Sequence, residues 1–115
     1  MADASLYEKK IGLLIWTVSK FWQNKLRFIL NKYNLSLNEY LILESLNILN
    51  NNSVLPSQTR ISSFSGIDES VVCVCLKNLE NKDLIKRSVD KDNRKKVINI
   101  SSSGQKLFNE ILPQI

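Results

Sequence analysis

Seventeen residues, Leu84-Ile-Lys-Arg-Ser-Val-Asp-Lys-Asp-Asn-Arg-Lys-Lys-Val-Ile-Asn-Ile100, constrain the fold of this chain more than any others. Two aliphatic, largely β-branched segments flank a tight cluster of charge, the pattern of a β-hairpin with a basic tip. Between Lys86 and Lys96 six bases (Lys86, Arg87, Lys91, Arg94, Lys95, Lys96) stand against two acids (Asp90, Asp92), a local net charge of +4. A helical segment that begins just after Gly66 leads directly into this hairpin. Few architectures place a short antiparallel hairpin at the end of a helix, and a mainly α fold with a small β-hairpin wing is the simplest.

The rest of the composition agrees. The 115 residues suffice for one domain with one ordinary core. With 43% hydrophobic and 23% charged residues the chain is globular in character, and only three Gly and two Pro favour helices on short connections. The formal charge of +5 suits a polyanionic partner, but its location in the hairpin says more than its sum. A second excess of bases, through Lys9, Lys10, Lys20, Lys25, Arg27 and Lys32, reads as a solvated helix face. Ile11 to Trp22 is apolar and follows two lysines. Thr17, Ser19 and Lys20 interrupt it, and it is too short to span a bilayer. The expected setting is the cytoplasm, with no membrane partner.

Apolar residues recur at helical spacing from about Leu6 to Lys32, and no proline intervenes, so the spacing predicts one long helix. Asn34 tolerates the left-handed geometry that ends it. Ser36-Leu-Asn-Glu39 is a capping box that opens a second helix through Tyr40, Leu43, Leu46 and Ile48. The polar run Asn50 to Ser53 reads as a loop, and Val54-Leu55 as a strand of one or two residues. Ser57 caps a short third helix, Gln58 to Ser65, with Ile61 and Phe64 expected to face inward. Gly66 breaks it, and Asp68 is the expected N-cap of a fourth helix reaching about Lys82. After the hairpin, Ser101 or Ser102 opens a last helix with Leu107, Phe108, Ile111 and Leu112.

The third and fourth helices have the features of a helix-turn-helix: a small residue, Ser62, at the crossing, and Gly66 in the turn. At ~100° per residue, Val72, Cys75, Leu76 and Leu79 cluster on the inner side of the fourth helix. Ser70, Cys73, Val74 and Lys77 lie on the outer side, with Val71 and Asn78 at its margins. An outer face of this kind is what enters a DNA major groove in a winged helix-turn-helix. Ser70, Lys77 and Asn78 donate hydrogen bonds, whereas Val71 and Val74 offer only apolar contact with thymine methyl groups. That apolar character leaves a second reading open, a winged-helix protein–protein interaction module. In the hairpin, Asp92 stands two residues before Arg94. It is expected to orient the guanidinium by paired hydrogen bonds, toward a narrow minor groove. The bland alternative is an exposed turn ion pair worth ~0–1 kcal/mol.

Leu79-Glu80-x-Lys82-x-Leu84-Ile85-x-Arg87, Asp92-x-Arg94 and Ile98-x-Ile100-Ser101-x-x-Gly104 together resemble the MarR family of transcriptional regulators. Leu35-Ser36-x-x-Glu39-Tyr40 and the stretch from Ile61 to Asp68 are similar to its preceding helices. The resemblance runs from about Leu6 to the C-terminus. It implies a single winged helix-turn-helix domain: residues 1–34 a dimerisation helix, 35–104 the winged helix-turn-helix, and 105–115 the start of a C-terminal helix. It implies a homodimer on a pseudo-palindromic double-stranded DNA operator, usually a repressor, and in many members a small-molecule effector that releases DNA. Carried over by position, the groove-facing helix is Ser70 to Asn78, and the wing contacts come from Arg94 with Lys91 and Lys95. Ser57, Gln58 and Thr59 would meet phosphate at the third helix's N-terminus, where free amides favour anions.

The chain departs from the family pattern in three places. Val74 stands where members often carry a polar or basic reader. Asp83 replaces the usual glycine after the recognition helix. The sequence ends at Ile115, where members continue into further dimerisation helix, so either it is cut short or the first helix carries more of the dimer contact.

No enzyme is expected: the chain lacks histidine, a phosphate-cradling glycine loop and paired carboxylates in an apolar setting. No cofactor or metal is expected either, because two cysteines without histidine cannot complete a structural zinc site. Cys73 and Cys75 point ~200° apart on one helix and cannot bridge there. Cys75 is expected in the core, with Cys73 at its edge. Trp16, Trp22, Tyr33 and Tyr40 could line an effector cavity, although such spacing more often marks core or dimer contact.

Overall fold

The computed structural model describes the backbone of residues 2–89 and 96–115 and the side chains of residues 10–89 and 96–115. The uninterrupted helical spacing of the N-terminal third forms α1, Ala2–Leu30, extended by a 3-10 turn over Asn31–Tyr33. Asn34 stops it in the left-handed region, with φ 56°. Two residues later the capping box forms: Ser36 Oγ accepts from the Glu39 amide at 3.1 Å, and Glu39 Oε1 accepts from the Ser36 amide at 2.8 Å. It starts α2, Leu37–Asn51.

Ser57 caps α3, Gln58–Ser65, by accepting from the Arg60 amide at 3.2 Å. Gly66, at φ 78°, ends it with a bond to the Ser62 carbonyl. A residue with a β-carbon would be strained at that positive φ, which glycine adopts freely. The Ser62 hydroxyl donates to the Ile67 carbonyl at 2.6 Å and closes the turn into α4, Glu69–Asn81. Asp68 occupies the N-cap position, and its carbonyl takes the first bond of α4, from the Val72 amide at 2.9 Å. Its carboxylate, contrary to expectation, makes no capping bond and stays exposed. Asp83 turns the chain at φ 61° into β1, Ile85–Val89, which pairs antiparallel with β2, Lys96–Ile100, in the register Ile85 to Ile100 and Val89 to Lys96. Ser101 caps α5, Ser102–Ile111, by accepting from the Gly104 amide at 3.0 Å.

α2 is the hub of the packing. Tyr40, Ile42, Leu43 and Leu46 are buried among Leu26 and Leu30 of α1, Ile61 of α3, Leu76 of α4, Ile98 of β2 and Phe108 of α5. Fully burying a side chain of this size contributes about 1.5–3 kcal/mol. The Tyr40 and Phe108 rings stack with centroids 5.8 Å apart. Among its described side chains, α1 contributes to this core only through its last turns. From Ile11 to Val18, and at Phe21 and Phe28, its large apolar side chains stand exposed.

Two local expectations fail for identifiable reasons. Val54-Leu55 forms no strand; both side chains are exposed, and only the Pro56 carbonyl reaches the sheet, accepting from the Ile98 amide at 2.8 Å. Proline has no amide to return a second ladder bond. Phe64 does not face inward and is 43% exposed, while Ile61 is fully buried. The half-buried residues Gln58, Ser62 and Ser65 share Ile61's side of α3. At ~100° per residue the mean of those directions lies about 110° from Phe64.

Candidate nucleic-acid interface

The inner face of α4 is settled by packing: Val72, Cys75, Leu76 and Leu79 are all buried. This fixes the rotation of the helix, so Ser70, Val74, Lys77 and Asn78 project outward together and are exposed. Cys73 is half-buried at the edge of this row. Val71 is half-buried and packs partly against the core, so it belongs less to the outer face than the periodicity suggested. Val74, at 59% exposure, is the apolar centre of the ridge.

Beside this ridge lies the N-terminus of α3. Ser57 and Gln58 are half-buried, and the Ser57 hydroxyl is engaged as the helix cap. Thr59 is exposed, but its hydroxyl donates to Glu69 Oε1 at 2.9 Å, a bond between the first turns of α3 and α4. The hairpin follows the C-terminal end of α4. Lys86 and Lys96 are exposed on its strands. Arg87 is half-buried, with its Nε 3.7 Å from Glu80 Oε2. Lys91, Asp92, Arg94 and Lys95 lie outside the described residues.

The base of the hairpin is anchored at three points. The Ser101 amide donates to the Leu84 carbonyl at 3.0 Å, and the Ser101 hydroxyl donates to the Asp83 carbonyl at 2.6 Å. Asn50, at the end of α2, uses both ends of its amide: Nδ2 donates to the Val54 carbonyl at 2.9 Å, and Oδ1 accepts from the Ile100 amide at 3.0 Å. α5 comes close enough that a β-carbon on Gly104 would lie 2.0 Å from the Leu84 carbonyl oxygen.

Three contacts had no signature in the sequence. Thr59 to Glu69 joins residues ten apart, Lys82 reaches Glu39 across 43 residues, and Asn50 reaches Ile100 across 50. Asn50 was masked by its polar neighbours, which read as a loop, although it closes the last turn of α2.

The cysteines lie as expected, Cys75 buried and Cys73 half-buried, both free thiols. Burial, reinforced by the Glu39 carboxylate, pushes the Cys75 thiol pKa up, which disfavours the reactive thiolate. Of the four aromatics, Trp16 is exposed on α1, Trp22 and Tyr33 pack partly against the core, and Tyr40 is buried within it. Among the described residues no three His, Cys, Asp or Glu side chains gather as a metal site, and no helix is long and apolar enough to cross a membrane.

Known proteins share this arrangement. AbfR of Staphylococcus epidermidis superposes with a TM-score of 0.87 over 98% of this chain and 75% of its own, at 17% identity. A MarR-family transcriptional regulator from Rhodococcus sp. RHA1 gives 0.79 over 92% and 73%, at 21% identity. The S. aureus MepR–DNA complex gives 0.77 over 87% and 70%, at 25% identity. The expected MarR-type winged-helix fold is therefore the fold of this chain. The family described as transcriptional regulator SarA/Rot matches residues 25–111, from the last turns of α1 to the end of α5. The chain belongs to the SarA/Rot family of transcriptional regulators, a family of regulators rather than enzymes.

Proposed function

We propose that this chain acts in the cytoplasm as a homodimer that binds a pseudo-palindromic site in double-stranded DNA and represses transcription there. One observation carries the reading: α4 buries Val72, Cys75, Leu76 and Leu79 and projects Ser70, Val74, Lys77 and Asn78 as an exposed ridge, on a helix bonded at its first turn to the start of α3 and followed directly by the hairpin. A helix so presented suits a major groove, with its N-terminal part toward the base edges. MepR, similar in fold and 25% identical, is known in complex with DNA.

In this reading Ser70, Lys77 and Asn78 donate to bases or phosphates, and Val74, with Val71 and Cys73 at the margins, meets thymine methyl groups. Ser57, Gln58 and Thr59 lie along the phosphate backbone. Arg94, aimed by Asp92 and flanked by Lys91 and Lys95, enters the neighbouring minor groove. The homodimer is supported by α1, whose Leu14, Ile15, Val18 and Trp22 form an apolar stripe open to solvent. A second copy of the same helix is its natural cover, because a two-fold axis pairs a patch with itself.

Fluorescence anisotropy of labelled duplexes across a salt series tests the reading. Affinity should fall steeply between about 50 and 200 mM salt as phosphate contacts release counterions. Arg94→Ala should weaken binding to every duplex and reduce the salt slope by about one. Val74→Ala should change which sequence is preferred. Exposed Val74 and Phe64 favour a second reading, a protein-binding face; absence of duplex binding at low salt would decide for it.

A further inference from the structure

We propose that Arg87 and Lys96 form a phosphate seat between α4 and the hairpin, gripping the sugar-phosphate strand that separates the groove read by the helix from the groove entered by the wing. The inference rests on the DNA-binding reading above and adds two residues outside the contacts expected from sequence. Directly opposed residues of an antiparallel pair share a face, as do alternate residues along each strand. Ile85, Arg87 and Val89 of β1 therefore lie on one side of the hairpin with Ile100, Ile98 and Lys96 of β2. Ile85 and Ile98 are buried, so this side turns toward the body of the domain. Toward the tip, Lys96 takes over from the aliphatic residues of β2. There Glu80, Arg87, Ser88, Val89 and Lys96 line a cleft of about 320 Å³ between α4 and the sheet.

The Arg87 guanidinium gives the cleft its chemistry. Its Nε and Nη2 are buried, and neither has a hydrogen-bond partner among the described residues. A buried charged donor without an acceptor is costly, and such a group calls for an acceptor from elsewhere. Glu80 Oε2 lies 3.7 Å from Nε, close enough to attract and too far to bond. It places the guanidinium without satisfying it. Nε and Nη2 are the nitrogens that direct two parallel N–H bonds to the same side, which suits two oxygens of one phosphate. Lys96 adds a second positive charge to the same cleft. The source of the phosphate follows from duplex geometry. Neighbouring grooves of a double helix are divided by a single sugar-phosphate strand. With α4 in the major groove and the hairpin in the adjacent minor groove, that strand passes between them, where the cleft lies. Glu80 faces the same cleft and repels the phosphate, so the two members of this ion pair act on DNA in opposite directions.

Anisotropy titrations on several unrelated duplexes, each over a salt series, test the seat. Arg87→Met should weaken binding to all of them by about 10-fold and reduce the salt slope by about one. Arg87→Lys should recover only part of that loss, because the charge returns without the fork. Glu80→Gln should tighten binding to every duplex by about 2–5-fold. If Arg87 only fastens the hairpin to α4 through Glu80, Glu80→Gln weakens binding as Arg87→Met does, and that result overturns the seat. Should Arg87→Met fail to fold, Glu80→Gln and Lys96→Met, both at exposed residues, still decide. Lys96→Met should lower the salt slope, and an unchanged slope would remove Lys96 from the seat. Calorimetric titration with inorganic phosphate covers a free anion as the source. Saturation at micromolar phosphate without duplex would assign the site to a soluble oxyanion and overturn the backbone contact. Unchanged affinity in Arg87→Met would overturn the seat and leave the DNA-binding reading intact; a wild-type protein that retains no duplex at low salt would overturn that reading.

Discussion

Lys82 and Glu39 are 43 residues apart in sequence, yet the Lys82 ammonium lies 3.4 Å from the Glu39 carboxylate while donating to the Asn34 carbonyl at 2.7 Å. The C-terminal end of α4 is thereby tied to the corner between α1 and α2. Glu39 is almost wholly buried and also completes the capping box of α2. Lys82→Met should cost about 1 kcal/mol, and Glu39→Ala about 1–2 kcal/mol because a helix cap goes with it. Urea unfolding of both single variants and the double variant measures the coupling. Strict additivity would mean the pair contributes nothing.

Gly104 has no room for a methyl group. Its added carbon would meet the Leu84 carbonyl oxygen at 2.0 Å and Ile100 Cγ1 at 2.9 Å. The oxygen belongs to the backbone at the base of the wing and cannot swing aside. Gly104→Ala should therefore destabilise the fold by about 2–3 kcal/mol, as overpacking does, read as a lowered urea midpoint. An unchanged midpoint would show that α5 can withdraw from the hairpin without penalty.

Asp83 holds a left-handed conformation, φ 61°, that L side chains adopt at a cost. Its backbone amide donates to the Glu80 carbonyl at 3.0 Å, and its carbonyl accepts from Ser101, so glycine preserves both bonds. Asp83→Gly should raise stability by about 0.5–1 kcal/mol despite the greater freedom of the unfolded chain. A fall in melting temperature would contradict this.

Tyr40 should make the fold sensitive to alkali. Burial first, and the Glu44 carboxylate second, push its phenol pKa up from 10.0 to about 12. A raised folded-state pKa means stability that is complete below pH 10 and is lost as pH rises from there toward 12. The loss attributable to Tyr40 is of the order of 2 kcal/mol. Unfolding of wild type and Tyr40→Phe at pH 8 and pH 11 measures it. Tyr40→Phe should lose less on going to alkaline pH, and equal losses would exonerate the phenol.

Local devices were legible in the sequence because their partners lie within a few residues. Ser36 with Glu39, Ser57, Gly66 and Ser101 all mark helix ends where expected. The inner row of α4 followed from periodicity alone. Asp68 shows the limit: the residue type named the position, but its carboxylate points elsewhere. Phe64 failed because an eight-residue helix has too few positions for periodicity to fix its rotation, and its half-buried positions are the polar Gln58, Ser62 and Ser65. The bonds of Lys82, Asn50 and Glu69 depend on how distant elements meet, which no local pattern encodes.

The double grip of Asn50 on Val54 and Ile100 has an engineering corollary. One carboxamide serves as a common rivet for the leader of α3 and the inner strand of the hairpin. A transplant beginning at Ser57 would shed that rivet and the scaffold that carries it. The smallest portable reading head therefore starts upstream of Ser36 and takes the whole of α2 along.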